Sequence, residues 1–169
     1  WDRQKLSLSL ARDRMGEKPL YYGWQNDVFI FGSELKALRE HPEFLNKVNR
    51  DTLPLYLRHG YIPAPWSIWK GIRKLLPGTI VELSMMQRGA MPEPTPFWSL
   101  NEVIVQGQAE PFAGSDKEAI DAMEQQLIRA ISGQCIADVP LGAFLSGGID
   151  SSTVVALMQA HSNQPVKTF

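Results

Sequence analysis

Ser146-Gly147-Gly148-Ile149-Asp150-Ser151-Ser152 decides how this chain is read. In front of it stands a short apolar run, Leu141-Gly142-Ala143-Phe144-Leu145, and behind it an amphipathic run over residues 153–161. That order predicts a strand, a glycine-rich loop and a helix, a layout in which backbone N–H groups and the positive end of a helix converge on a phosphate. Gly147 and Gly148 have no Cβ and accept positive φ, so the main chain can approach an anion closely. The hydroxyls of Ser146, Ser151 and Ser152 add donors. Asp150 is the discordant member, because a carboxylate and a phosphate repel each other. A divalent cation between them removes the conflict, since Mg²⁺ is typically held by one or two carboxylates together with phosphate oxygens. Ile149 reads as a core contact rather than a ligand. The Gly-Lys-Ser/Thr ending of a mononucleotide P-loop is missing, which excludes that class.

At these residues the chain resembles the PP-loop, or N-type, ATP pyrophosphatases. The resemblance implies an α/β, adenine nucleotide α-hydrolase-like domain with a parallel sheet. It also implies that the segment binds the pyrophosphate of ATP while a substrate group is adenylated. Argininosuccinate synthetases, GMP synthetases and tRNA-thiolating enzymes share such a loop, so the loop alone does not choose among them.

The chain has 169 residues, is 44% hydrophobic and 21% charged, and carries a formal net charge of −1. This is ordinary globular composition, enough for one medium domain or parts of two. Near-neutral charge gives no support for a basic nucleic-acid-binding face. No apolar run reaches the ~20 residues of a membrane span, and no signal peptide is visible, so neither nucleic acid nor membrane is expected as a partner. One cysteine excludes an internal disulfide framework and fits a cytoplasmic setting. The chain opens on Trp1-Asp2-Arg3 without an initiator Met and stops where Pro165-Val166-Lys167-Thr168-Phe169 starts a strand pattern. The expectation is a piece of a longer parent.

Leu6, Leu8 and Leu10 alternate with polar or small residues as a half-buried strand does. Residues 20–24 and 28–31 flank Gln25-Asn26-Asp27 as a hairpin would. Ser33 is placed to cap a short helix, with Glu34 in its first turn. Residues 51–59 predict a helix with Asp51 as N-cap, Pro54 in the first turn and Gly60 closing it. Pro63 and Pro65 predict an extended stretch. Leu76-Pro77-Gly78 turns into a strand over 79–84, which meets a Gln87-Arg88-Gly89 turn. From about Met91 to Ser115 the composition shifts toward Pro, Gly and Ser, which reads as a domain linker anchored by Phe97-Trp98. Ser115-Asp116-Lys117-Glu118 is a capping box. Ile120, Met123, Leu127, Ala130 and Ile131 then give a long helix one apolar face.

Ala11-Arg12-Asp13-Arg14-Met15-Gly16-Glu17-Lys18-Pro19-Leu20-Tyr21-Tyr22-Gly23 and Phe31-Gly32-Ser33-Glu34-Leu35-Lys36-Ala37-Leu38 resemble the late part of class II glutamine amidotransferase domains. That resemblance implies an α+β, N-terminal-nucleophile fold of two stacked antiparallel sheets, of which only the C-terminal portion is expected here. The bland role of Arg12 and Asp13 is scaffold, a surface turn with a weak ion pair. Order sharpens the reading. A class II glutaminase ending, then His59-Gly60-Tyr61-Ile62-Pro63-Ala64-Pro65, a linker and a PP-loop resemble the glutamine-hydrolysing asparagine synthetases nearly end to end. Ala137-Asp138-Val139-Pro140-Leu141-Gly142 fits the same family. The domains expected are 1–98 (glutaminase), 99–115 (linker) and 116–169 (synthetase).

The resemblance implies that glutamine supplies ammonia, and that ATP adenylates aspartate, or another carboxylic acid. Ammonia then displaces AMP, which leaves asparagine and pyrophosphate. Carried over by position, Leu145, Ser146, Gly147, Gly148, Asp150, Ser151 and Ser152 form the ATP site, with Asp150 facing Mg²⁺. A homodimer of the parent goes with the family. The family's cysteine nucleophile stands at a mature N-terminus, whereas position 1 is Trp1. No catalytic residue is therefore assigned within these residues, and this segment alone is expected to be inactive. Cys135 is expected mid-helix and buried as a small apolar residue. His41, His59 and His161 each fall at a predicted helix end, where the dipole favours a cation, and none has metal-ligand spacing. Trp66 and Trp69 are expected to pack a Pro-rich loop. Two rival readings remain: a related amidotransferase acting on a sugar acid in surface-polysaccharide synthesis, and a non-catalytic remnant. Retention of every polar loop residue speaks against the second.

Overall fold

A computed structural model describes residues 1–84 and 88–169. The chain divides into two compact units, Trp1–Ala109 and Glu110–Phe169.

The first unit holds two three-stranded antiparallel sheets. One has the order β1 (Ser7–Ala11), β5 (Thr79–Ser84), β6 (Thr95–Pro96), and the other β3 (Val28–Gly32), β2 (Tyr21–Gln25), β4 (Ile72–Lys74). Leu10 lies opposite Val81 in the first sheet, and Tyr22 opposite Phe31 and Arg73 in the second. Leu10, Tyr22, Val81 and the neighbouring Leu75 form one buried cluster, so apolar positions of both sheets share a core. Ile30 and Ile72 flank Gly23 in the register and therefore face the other way. There they form a second cluster with Leu38 and Phe44. Trp69 closes it, edge-on to Phe44 at 5.5 Å between ring centroids, with the Arg39 guanidinium 5.1 Å from its own ring.

The hairpin forms as expected, but its loop is only Asn26-Asp27, since Gln25 pairs with Val28. Asn26 takes φ 51°, the left-handed region that two-residue hairpin loops need. Gln25 is buried. Its amide nitrogen donates to the Trp24 and Lys70 carbonyls, and its amide oxygen accepts from the Leu45 N–H, each at 2.9 Å. A residue read as a turn is thus the pin that ties two loops to the sheet.

Helix starts differ from the sequence reading. The N-cap of α1 (Leu35–Arg39) is Glu34, not Ser33, and no side chain caps it. Asp51 lies in a 3₁₀ turn, Arg50–Thr52, so α2 (Leu53–His59) begins after Thr52, with Pro54 in its first turn. Gly60 closes it with φ 74°. The Pro63–Pro65 stretch is a turn rather than extended: the Trp66 N–H donates to the Pro63 carbonyl, and Ala64–Pro65 is cis. Trp66 stays exposed. The turn expected at Gln87-Arg88-Gly89 begins outside the described residues. The stretch read as linker carries β6 and then α3 (Leu100–Ala109). The N–H groups of Phe97 and Trp98 both donate to the Gly78 carbonyl, which anchors its start.

The second unit comprises α4 (Asp116–Gln134), β7 (Gly142–Ala143), α5 (Ile149–Ala160) and β8 (Lys167–Thr168). The capping box forms: the Glu118 N–H donates to Ser115 Oγ, and the Glu118 carboxylate accepts from the Ser115 N–H at 2.8 Å. The Ser115 N–H and then the Ser115 hydroxyl, both donating to the Glu118 carboxylate, hold that carboxyl below its usual range. α4 packs on α5, with Leu127, Ile128 and Ile131 half-buried, while Ile120 and Met123 of the expected apolar face are exposed. β7 and β8 pair in parallel across α5, a strand–helix–strand unit. No helix among the described residues is long and apolar enough to cross a membrane.

Candidate functional site

The glycine-rich segment is shorter as a loop than it reads. Of the motif only Ser146, Gly147 and Gly148 precede the helix, because α5 already starts at Ile149; with Phe144 and Leu145 they form the link from β7. Asp150, Ser151 and Ser152 therefore stand in the helix's first turns. Leu145 fixes the entry: its N–H donates to the Phe169 carbonyl at 2.9 Å, extending the β7–β8 ladder. Gly147 then turns the chain with φ 79°, a conformation costly for any residue with a Cβ. Gly148 is the N-cap, with φ −76° and ψ 159°, and its carbonyl accepts the first helical bond from the Ser152 N–H. The N–H groups of Ile149, Asp150 and Ser151 precede that bond and have no helical acceptor. They point out of the helix end, where the dipole favours an anion.

The loop leaves room for one. Around a Cβ placed on Gly147 nothing lies within 4 Å. One placed on Gly148 would meet only Ser146 Oγ at 3.6 Å and Ser151 Oγ at 3.9 Å, which is ordinary contact. The space above both glycines is open. Asp150 is exposed, and nothing among the described residues pairs with its carboxylate. No group of three His, Cys, Asp or Glu residues able to hold a metal occurs among the described residues. Asp150 thus offers a single carboxylate, the donor set of a Mg²⁺ ion whose other ligands are phosphate oxygens and water.

Two expectations around the loop are corrected. Ile149 is no core contact: it opens α5 and is 86% exposed. Cys135 is neither mid-helix nor buried, because α4 ends at Gln134 and leaves Cys135 as an exposed C-cap whose N–H donates to the Ile131 carbonyl. Ser151 makes its contacts within the loop. Its Oγ lies 3.2 Å from the Gly148 carbonyl oxygen and 2.9 Å from Ser146 Oγ. A cavity of about 540 Å³ in this unit is lined by Cys135, Leu141, His161 and Lys167. Those residues precede β7 and follow α5, so it lies at the far end of the strands from the loop.

The other polar motif, Arg12-Asp13, is scaffold, and the two residues form no ion pair. The Arg12 guanidinium donates to three carbonyls: Lys18 at 2.9 Å, Leu75 at 2.7 Å and Gly16 at 2.7 Å. The Asp13 carboxylate accepts from the N–H groups of Glu17 and Lys18, which hold its carboxyl below the usual range. Its carbonyl accepts from Gly16 and Gly78. Gly16, with φ 70°, fits where a Cβ would press on Pro77. The spacing of Arg12, Asp13, Gly16 and Pro19 is thus that of one turn pinned by its own backbone and by that of residues 75–78. Two of the histidines stand at helix ends: His59 is the last residue of α2 and His161 caps α5, its Nδ1 3.0 Å from the Leu157 carbonyl oxygen, whereas His41 lies one residue past Glu40, the C-cap of α1.

Comparison with known proteins divides the chain in the same order. Residues 1–98 match a family described as glutamine amidotransferase domain, and residues 122–169 match one described as asparagine synthase. A putative glutamine-hydrolysing asparagine synthetase 2 of Methanocaldococcus jannaschii is 36% identical over 94% of this chain and 30% of its own length. Glutamine-hydrolysing asparagine synthetase 3 of Bacillus subtilis is 31% identical over 95% of this chain and 25% of its own. The amidase chyE of Penicillium rubens is 29% identical over 99% of this chain and 23% of its own. The chain spans about a quarter to a third of the length of these relatives.

Proposed function

Because the chain belongs to the glutamine amidotransferase family and continues into residues of an asparagine synthase domain, we propose that the whole protein is an ATP-dependent amide ligase. In this reading glutamine supplies ammonia, and ATP activates the side-chain carboxylate of aspartate as an acyl-adenylate. Ammonia displaces AMP, and the products are asparagine, AMP and pyrophosphate. Residues 1–98 serve a glutaminase of the N-terminal-nucleophile type, 99–115 connect, and 116–169 belong to a PP-loop domain.

The loop carries the reading. Leu145 holds the strand end in register. Gly147 makes the turn, and Gly148 keeps the backbone bare. The N–H groups of Ile149, Asp150 and Ser151 with the Ser146 hydroxyl then gather the pyrophosphate oxygens of ATP. Asp150 faces a Mg²⁺ ion, which neutralises phosphate charge when bound. Ser152 adds a hydroxyl one turn further on. Similarity to an amidase as well as to asparagine synthetases leaves the acceptor acid as the variable part.

ATP–pyrophosphate exchange by the whole protein, run with aspartate and with sugar acids, tests both halves. Aspartate-dependent exchange is the expected result, and exchange only with a sugar acid moves the acceptor to that class. Asp150→Asn keeps size and removes the charge. It should lower exchange steeply and change its Mg²⁺ dependence while folding is unaltered. Wild-type exchange and Mg²⁺ dependence in that variant would refute the metal-facing role.

A further inference from the structure

Between α1 and β4, residues 46–70 leave the sheets of the first unit and close on themselves at the base. The Asn49 N–H donates to the Ile68 carbonyl at 2.7 Å, and the Lys70 N–H to the Lys47 carbonyl at 2.9 Å. Thr52 and Ser67, both buried, meet across the same base. Trp69 packs on the cluster of Ile30, Leu38, Phe44 and Ile72, on the face of the second sheet turned away from the core that the two sheets share. The outer side is unlike the inner one. Leu53, Tyr56 and Leu57 of α2 stand at i, i+3 and i+4, one helix face, which a surface helix ordinarily turns to the core. All three are exposed here, Leu57 at 83%, and the loop after α2 adds exposed Tyr61 and Trp66. Lys74 fixes that loop: its Nζ donates to the Ile62 carbonyl and its N–H to the Pro65 carbonyl, both at 2.9 Å. The same stretch carries Lys47, Arg50, Arg58 and Lys70 against one carboxylate, Asp51, in a chain of formal net charge −1. All four cations are exposed, and none forms an ion pair among the described residues. A fixed patch of Leu, Tyr and Trp edged by unpaired cations has the make-up of a protein interface.

A two-fold contact with a second copy would set these cations against themselves, which disfavours self-association through this patch. The relatives are three to four times as long as this chain, and its last residues match asparagine synthase. The amide-ligase reading proposed above, on which this step rests, also makes a demand of its own. Ammonia released by the glutaminase must meet the adenylate before it enters water, where it is protonated and ceases to be a nucleophile. The glutaminase therefore has to be held closely against synthetase chain. We propose that the outer side of residues 46–70 is the face on which the glutaminase docks the part of the synthetase that lies outside these 169 residues, against a surface with an apolar centre and carboxylates at its edge. Leu53, Tyr56, Leu57, Tyr61 and Trp66 fill the apolar centre, and the four cations meet the carboxylates.

The test is the coupling of the two half-reactions in the whole protein, with amide product and consumed glutamine counted in one reaction. Leu57→Asp puts a charge into the centre of the patch, and Trp66→Ala removes its largest side chain. Both residues are exposed, so neither change strips the first unit of its core. Each should weaken docking by roughly 10- to 100-fold, the cost of losing one interface anchor. Product per glutamine should then fall severalfold, while glutamine hydrolysis and synthesis from added ammonia keep their wild-type rates. Arg58→Glu should act in the same direction, more at low salt than at high. An unchanged ratio in the Leu57→Asp, Trp66→Ala double variant would overturn the docking role. So would an equal loss of glutamine hydrolysis, which assigns the face to the glutaminase's own fold, or a reduced mass on sedimentation, which assigns it to a second copy. A distinct result, no amide formed from glutamine by the unaltered protein with aspartate or with a sugar acid, overturns the amide-ligase reading and this role with it.

Discussion

Gly147 and Gly148 are neighbours with opposite reasons for being glycine, and substituting each by alanine separates folding from binding. Gly147 sits at φ 79°. An L-residue pays about 1–2 kcal/mol there because its Cβ crowds the carbonyl. Gly148 sits at φ −76°, ψ 159°, where any residue is comfortable, and its added Cβ finds no atom closer than 3.6 Å. Replacing that glycine restricts only the unfolded chain, which stabilises by about 0.4–1 kcal/mol. The two variants should therefore differ by roughly 1.5–3 kcal/mol in local stability, with opposite signs. Amide hydrogen exchange over residues 146–152 reads this local opening, as a difference of about 10- to 100-fold in protection. Pyrophosphate binding should rank them the other way. The Gly148 methyl enters the open space that the backbone offers an anion, so Gly148→Ala keeps its loop and loses its ligand. Tight pyrophosphate binding by Gly148→Ala would show that the anion does not lie against this backbone, and the loop geometry would have to be reread.

Two further outcomes concern the first unit. Gln25→Leu keeps nearly the same volume but strips partners from the Leu45 N–H and the Lys70 carbonyl. It should cost at least the ~1–3 kcal/mol of one orphaned buried group, and an unchanged urea midpoint would refute the pinning role. The Asp13 carboxyl is held below its ordinary value of 3.8, first by the Glu17 N–H and then by the Lys18 N–H. A lowered folded value means that the contribution is complete above the ordinary value and is lost as pH falls through the lowered one. The Glu17 amide proton shift, followed from about pH 5 to about pH 2, should move with a midpoint under 3.8. A midpoint at or above that value would contradict the bond.

Elements whose signal lies in adjacent residues are legible in the sequence. The hairpin is set by two β-rich runs about a short loop, Gly60 stops α2 by its φ, and the Ser115–Glu118 box starts α4. The strand–glycine–helix order of the loop also survives. What the sequence hides is set by distant partners or by competing local bonds. Gln25 looks like a turn residue until the Lys70 and Leu45 backbones arrive beside it. Arg12 reads as an ion-pair partner of Asp13, yet three carbonyls from two segments outcompete it. α3 had a readable signal: Ser99-Leu100-Asn101-Glu102 has the spacing of a capping box, and the Glu102 N–H lies 3.4 Å from Ser99 Oγ. The prolines at 92, 94 and 96 masked it, although all three precede the helix.

Partnering is what distinguishes the two polar motifs. In the Arg12-Asp13 turn the Arg12 guanidinium and the Asp13 carboxylate both have their partners within the unit, so neither is left over for a ligand. In the 146–152 segment the balance is reversed. Three first-turn N–H groups lack a helical acceptor, the Asp150 carboxylate has no partner among the described residues, and the glycines hold open space above the backbone. A scaffold consumes its polar groups, and a site keeps them in reserve.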